Sequence, residues 1–305
     1  MSTAPDLAAR LASLLGETWS APDIRLVHRR GLHAYHDWVL EDLIFANGAG
    51  EDIPAYFIRP PDGHGPVPAM VYAHAHGGKY AMGRDELTQG RGSLQGPYGT
   101  ALAQMGCASL CLEMPCFGAR QKPDEASRAK ALAWQGSTLF GQMLAEQRGG
   151  LAFLASHPAI LPDRIGAMGF SMGCTLAWWL AALDPRIHAV SALCCFADIA
   201  ELVRLGAHDA HGAYMTVPGL LPVARTGQIA GLAAPRPLQI TIGRQDPLTP
   251  PSAFEIARKD LLQAYAAHDA QSALQFHLED DTGHLETPAM RQAVLEFLRA
   301  ALLAD

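Results

Sequence analysis

One serine stands where two apolar segments meet. The run RIGAMGF enters the pentad GFSMG at residues 169–173, and MGCTLAWWLAAL leaves it. A serine hydroxyl is a weak nucleophile until a base takes its proton, and that base needs a carboxylate to orient it. Downstream of Ser171 the chain offers ITIGRQDPLTP, which places Asp246 just past an apolar run. It then offers LEDDTGHLE, which places His284 after a further run and a glycine. Ser171 as nucleophile, His284 as base and Asp246 as orienting acid would perform acyl transfer to water. Asp280 and Asp281 rival Asp246 for the acid, and His74, His76, His208 and His211 rival His284 for the base. Only His284 follows the last strand-like run.

Acyl transfer also needs donors for the developing oxyanion. The segment AMVYAHAHGGKYAMG at residues 69–83 runs from an apolar stretch into two glycines, which free the backbone to turn its N–H groups toward a substrate. Gly78 and Met172, the residue after the nucleophile, are the expected pair of donors. His76, Gly77, Glu113, His211, Tyr214 and Met215 are candidates for substrate contact. For Glu113 a structural pair with Arg120 is an equal alternative, and Lys79 and Arg84 read as surface cations. His74 and His76 alternate as strand-borne metal ligands would, but no third ligand has telling spacing, so neither metal nor cofactor is expected.

These residues need a scaffold. Continuous apolar runs at 67–74, 107–113, 164–170, 187–193 and 237–243 read as strands buried on both faces, as in parallel sheets. Runs at 37–46, 53–59 and 273–279 bring the expectation to about eight strands. Helical patterns near 97–106, 124–157, 172–183, 252–268 and 287–303 alternate with them. This predicts an α/β protein with a doubly wound, mostly parallel sheet. The division expected is a single domain over 1–305, a helical extension at 1–32 and a cap-like insert at 196–232, after the sixth expected strand. The strand-to-helix junction explains the glycines around Ser171. A turn this tight strains the serine backbone and leaves no room for Cβ atoms two positions away on either side.

Composition sets limits. A chain that is 49% hydrophobic and 17% charged is too apolar for disorder, and it has no apolar span long enough for a membrane helix. With net charge −7 and no basic run, nucleic acid is not an expected partner. The start lacks a basic segment followed by an apolar one, as a secretory leader would have. Six cysteines, none in a CxxC pair, read as reduced thiols, mostly in apolar runs, which points to a cytoplasmic protein. The expected partner is a small ester, and a homo-oligomer is compatible with the sequence.

With these pieces placed, the sequence resembles the α/β-hydrolase superfamily, and within it the dienelactone hydrolase and acetyl xylan esterase-like branch. The residues that carry the likeness are HAHGG at 74–78, CLEMPCFGAR at 111–120, PDRIGAMGFSMG at 162–173, APRPLQITIGRQDPLTP at 234–250 and TGHLETPAMRQAVLEFL at 282–298. They span residues 67–300. The order Ser171, Asp246, His284 is that superfamily's order. Dienelactone hydrolases proper carry a cysteine nucleophile, whereas serine stands here, and Cys174 occupies a place where relatives often have glycine. The resemblance implies a serine hydrolase cleaving a carboxylic ester, with peptidase or thioesterase activity as alternatives. A non-catalytic binding protein on the same fold is the alternative from another class.

Overall fold

The computed structural model describes residues 4–20 and 23–304. Nine strands form one sheet: β1 (Arg25–Tyr35), β2 (Trp38–Ala46), β3 (Asp52–Arg59), β4 (Val67–Ala73), β5 (Ala108–Leu112), β6 (Ile160–Phe170), β7 (Ala189–Leu193), β8 (Leu238–Gly243) and β9 (Leu274–Glu279). Their lateral order is β1-β2-β3-β5-β4-β6-β7-β8-β9. Strands β1 to β3 pair antiparallel and β3 meets β5 antiparallel; every neighbouring pair from β5 to β9 is parallel.

The helices are α1 (Ala4–Leu15), α2 (Glu17–Ser20), α3 (Glu86–Gln89), α4 (Tyr98–Met105), α5 (Glu125–Trp134), α6 (Leu139–Ser156), α7 (Met172–Leu183), α8 (Ile199–Leu205), α9 (Thr226–Ala230), α10 (Pro251–Ala266) and α11 (Pro288–Leu302). Successive side chains of a strand point to opposite faces. In β4, Ala69, Val71 and Ala73 join the core under α6 and α7, while Met70 and Tyr72 join a second core with α4 and α11. Helices on both faces explain why the central strands are apolar at every position.

The strand missing from the sequence reading is β1. Its residues RLVHRRGLHAY are nearly all exposed or half-exposed, so no burial pattern marks them. It is an edge strand, and basic side chains on an edge oppose pairing with other chains. The expected helical extension at 1–32 is therefore corrected: α1 and α2 occupy its first part and β1 takes its last. Residues 1–3 and 21–22 of that segment, and residue 305 of the expected domain, lie outside the described residues. The helical stretch expected at 124–157 is two helices. Asp124 caps α5 by accepting from the Ser127 N–H at 2.9 Å, and Thr138 caps α6 by accepting from Gly141 at 2.9 Å. Gly136, between them, has a positive φ of 73°.

The segment 196–232 holds α8, α9 and short 3-10 turns. Its two ends are tied together. The Asp198 carboxylate accepts from the Glu201 N–H that opens α8 and pairs with Arg225 at 3.1 Å, and the Thr226 hydroxyl donates to Ala197 O at 2.9 Å.

Candidate active site

Ser171 sits between β6 and α7 with φ 58° and ψ −115°, a conformation that non-glycine residues rarely adopt. Its N–H donates to Leu193 O at 2.9 Å, which fixes the turn to the end of β7. A Cβ at Gly169 would lie 2.4 Å from Ala73 O, and one at Gly173 would lie 1.9 Å from the same atom. Both glycines are therefore required by the approach of β4. Cys194 and Cys195, just past β7, also have positive φ values of 54° and 82°. Strained backbone is thus concentrated beside Ser171, as it often is at functional sites.

The candidate acid and base, Asp246 and His284, come from neighbouring strand ends. Arg244 N–H donates to Glu279 O at 2.8 Å and Gln245 N–H to Thr282 O at 2.9 Å, zipping the loop after β8 to the loop after β9. Gly243 permits the contact, since a Cβ there would meet Thr282 O at 2.3 Å. Across this junction His284 Nδ1 and Asp246 Oδ2 are 2.7 Å apart. Asp246 is buried and is held in turn by the Leu248 N–H, which donates to Oδ1 at 2.8 Å. The His284 ring packs 4.8 Å from that of Phe170, the residue before Ser171. The rival acids lie elsewhere: Asp280 pairs with Arg244 at 3.1 Å on the surface, and Asp281 accepts from Gln245 at 3.4 Å.

Two features of this junction are not written in the sequence. The ligand atoms of Cys194, Asp246 and His284 lie within 4.8 Å of one another, while burial holds the Cys194 thiol well above its ordinary pKa. Two residues beyond His284, the buried Glu286 carboxylate accepts from Gln95 N–H at 2.8 Å and from the Tyr98 hydroxyl, and pairs with Arg291 at 3.2 Å. This anchors the His284 loop to the start of α4.

The loop after β4 lies alongside Ser171, because Ala73 is in register with Gly169 two residues before it. The expectation for Gly78 needs correction. Gly77 and Gly78 do have positive φ, 53° and 66°, but the Gly78 N–H donates to His76 Nδ1 at 3.0 Å. The Ala75 N–H is also engaged, on the Glu86 carboxylate at 3.1 Å, and the Lys79 N–H donates to His76 O at 3.1 Å. Between Ala75 and Lys79, the N–H groups of His76 and Gly77 are the two without a protein acceptor among the described residues. Met172 begins α7, so its N–H has no acceptor within the helix.

The remaining candidates divide. Glu113 does not reach the His284 loop: its carboxylate accepts from Ala119 N–H at 2.6 Å and faces Arg84 at 3.9 Å. Nor does it bond Arg120 through that carboxylate. Arg120 donates to the Glu113 backbone carbonyl and pairs with Glu146, both over short distances of 2.8 and 2.6 Å. Arg84 is no free surface cation but pairs with Asp42 at 2.6 Å. His74 is buried with both ring nitrogens on backbone, accepting from Met114 N–H at 3.1 Å and facing Ala75 O at 3.1 Å. Burial lowers its pKa to about 3. His76 has a different partner, with Nε2 2.6 Å from Glu125 Oε2, though both rings pack edge-on against Phe117.

Tyr214 stacks on the His76 ring at 5.8 Å. His211 and Met215 instead line a cleft of about 420 Å³ within the insert, where Ile199, Leu202 and Leu220 stand beside the polar His208 and Asp209. Of these, all but His208 and Asp209 border a narrower recess that ends on Trp178, Cys195 and Thr175, the last of these one helical turn from Ser171. Burial holds the His211 pKa below the ordinary histidine value.

A mostly parallel sheet with a strained serine at one strand end and a paired acid and histidine at two others defines an α/β-hydrolase fold. The profile of the dienelactone hydrolase family matches residues 98–284, and the chain belongs to that family. The Bacillus subtilis (strain 168) protein named "Putative hydrolase YtaP" is 34% identical over 262 residues, 86% of this chain and 87% of its own. Among solved structures, glucuronoyl esterase from Solibacter usitatus superposes with a TM-score of 0.71 at 12% identity, covering 98% of this chain and 92% of its own. Acetyl xylan esterase 1 from Thermoanaerobacterium sp. JW/SL YS485 gives 0.62 at 19% identity, covering 98% and 93%. No helix among the described residues is long and apolar enough to cross a membrane.

Proposed function

We propose that the protein is a serine hydrolase that cleaves carboxylic esters of small to medium size through an acyl-enzyme. The observation that carries this reading is the 2.7 Å His284–Asp246 pair packed against the residue that precedes a strained Ser171. In the proposed cycle Ser171 Oγ attacks the ester carbonyl carbon and its proton passes to His284. Asp246 holds the imidazole with its proton on Nδ1 and stabilises the imidazolium. The N–H groups of Met172 and of the His76–Gly77 turn receive the oxyanion, each such donor being worth about 3 kcal/mol. His284 then protonates the departing alcohol, and water, deprotonated by the same histidine, releases the acid and restores Ser171.

The esterase names of the structural neighbours favour an ester over an amide or thioester. The apolar side of the cleft within residues 199–221, formed by Ile199, Leu202, Met215 and Leu220, favours an apolar substituent on one side of the ester, and on this reading the segment 196–232 is a cap on a single catalytic unit. Six free, buried thiols support a reducing, cytoplasmic compartment. The test is Ser171→Ala assayed on p-nitrophenyl acetate. Turnover is expected to fall by a factor on the order of 10⁶; undiminished cleavage by the variant excludes the mechanism.

A further inference from the structure

Glu125 opens α5, a helix otherwise largely exposed along its length, yet its carboxylate is buried. Three donors converge on it. His76 Nε2 lies 2.6 Å from Oε2, the Tyr80 hydroxyl donates to the same oxygen at 2.8 Å, and the Tyr214 N–H donates to Oε1 at 2.7 Å. The tautomer of His76 follows from its other nitrogen. Nδ1 accepts from the Gly78 N–H, so the ring proton resides on Nε2 and is donated to Glu125. The imidazole is thus a rigid strut between the carboxylate and the loop after β4. Phe117, Tyr80 and Tyr214 wall it in with ring centroids 5.2, 5.0 and 5.8 Å away.

We propose that Glu125 is a positioning residue for ester cleavage: through His76 it sets the backbone turn that offers the oxyanion donors, and through the Tyr214 N–H it locks the insert onto that turn. The proposal rests on the serine-hydrolase reading. The chemistry requires a group that only accepts. An ionised carboxylate receives three donors without conflict, whereas an amide has one accepting arm and must present N–H to either His76 or Tyr214. The site also suits an anion, since hydrogen bonds from His76 and Tyr80 hold the Glu125 pKa below its ordinary value despite burial and the first turn of a helix favours negative charge. A burial of this kind is costly unless every lone pair is used.

The experiment compares wild type with Glu125→Gln, which keeps shape and volume, and with Glu125→Ala. Three quantities are read: kcat and KM on p-nitrophenyl acetate, the second-order rate of Ser171 labelling by a fluorophosphonate, and the thermal midpoint. For Glu125→Gln, kcat and labelling rate should fall together by about tenfold, less than the loss of a whole donor, with KM changed less than about twofold. A simple structural pin would lower the thermal midpoint and leave the labelling rate alone, and that result overturns the proposal. Should Glu125→Ala fail to fold, the Gln variant decides. A wild-type enzyme that resists the probe overturns the serine-hydrolase reading and this inference with it. A labelled wild type beside an equally fast Glu125→Gln overturns this inference alone.

Discussion

The rim of the sheet carries two histidine–carboxylate pairs of nearly equal length, His284–Asp246 at 2.7 Å and His76–Glu125 at 2.6 Å. They differ in what the second ring nitrogen does. In His284 the carboxylate takes Nδ1, and Nε2 has no protein partner among the hydrogen bonds of the described residues. In His76 the carboxylate takes Nε2, and Nδ1 is already occupied by the Gly78 N–H. A proton shuttle needs one nitrogen held and one free; a strut needs both held. In the proposed function the same two side-chain types serve opposite ends, and the discriminating feature is which nitrogen the backbone claims.

The sharpest way to break that contrast is to remove each imidazole. His284→Gln should cost a factor on the order of 10⁶ in kcat, as loss of the base does when nucleophile and base act as a unit. His76→Phe keeps the ring packing but deletes both hydrogen bonds. It should cost about 10- to 100-fold, because the backbone N–H survives in a less fixed position. Parallel initial-rate measurements on p-nitrophenyl acetate check both. Equal losses in the two variants would dissolve the distinction between shuttle and strut.

The first pair was legible in the sequence and the second was not, for a physical reason. The positions of Ser171, Asp246 and His284 are dictated by strand ends, and strand ends show as apolar runs closed by glycine or proline. The glycines at 169 and 173 are forced by the approach of Ala73 O. His76 and Glu125, by contrast, are 49 positions apart, and what joins them is the packing of α5 on the β4 loop. The stretch PDEASR around Glu125 reads as an ordinary helix start. Backbone donors are hidden for a similar reason: the sequence says that Gly78 can turn, but not that the adjacent imidazole captures its N–H. Strand β1 was missed because an exposed basic edge carries no burial period, and α5–α6 read as one helix because both segments have helical spacing and the break between them is only the short turn at 135–138.

A third histidine sharpens the comparison from the side of charge. His74 lies two residues from His76 but has no carboxylate, and both nitrogens engage backbone. Its pKa of about 3 lies below the ordinary value of 6.5. Between these limits the unfolded chain binds a proton that the native state refuses, so stability rises with pH across that window and is lost as pH falls below about 6.5. Carried down to pH 3, the difference corresponds to about 5 kcal/mol. Urea midpoints of wild type and His74→Gln from pH 7 to pH 4 isolate this contribution. The variant should start less stable and show a shallower decline with acid. Parallel declines would mean that His74 is not the residue refusing the proton.

The smallest effect expected concerns the third donor to Glu125. Tyr80 is partly exposed, and burial together with the Glu125 carboxylate pushes its phenol up to about 12, so across the neutral range it is a hydroxyl and a donor. Tyr80→Phe removes that donor and leaves the aromatic wall beside His76 and Phe117 in place. Glu125 then retains His76 Nε2–H and Tyr214 N–H, one on each oxygen, and the strut remains closed. The net value of a single hydrogen bond is about 1 kcal/mol, and a partly hydrated partner loses less because water replaces it. The thermal midpoint should therefore drop slightly while kcat falls less than about threefold. If Tyr80→Phe matched Glu125→Gln in kcat, the hydroxyl itself would have to act on the substrate, and the strut would need to be redrawn with Tyr80 as the group facing the ester.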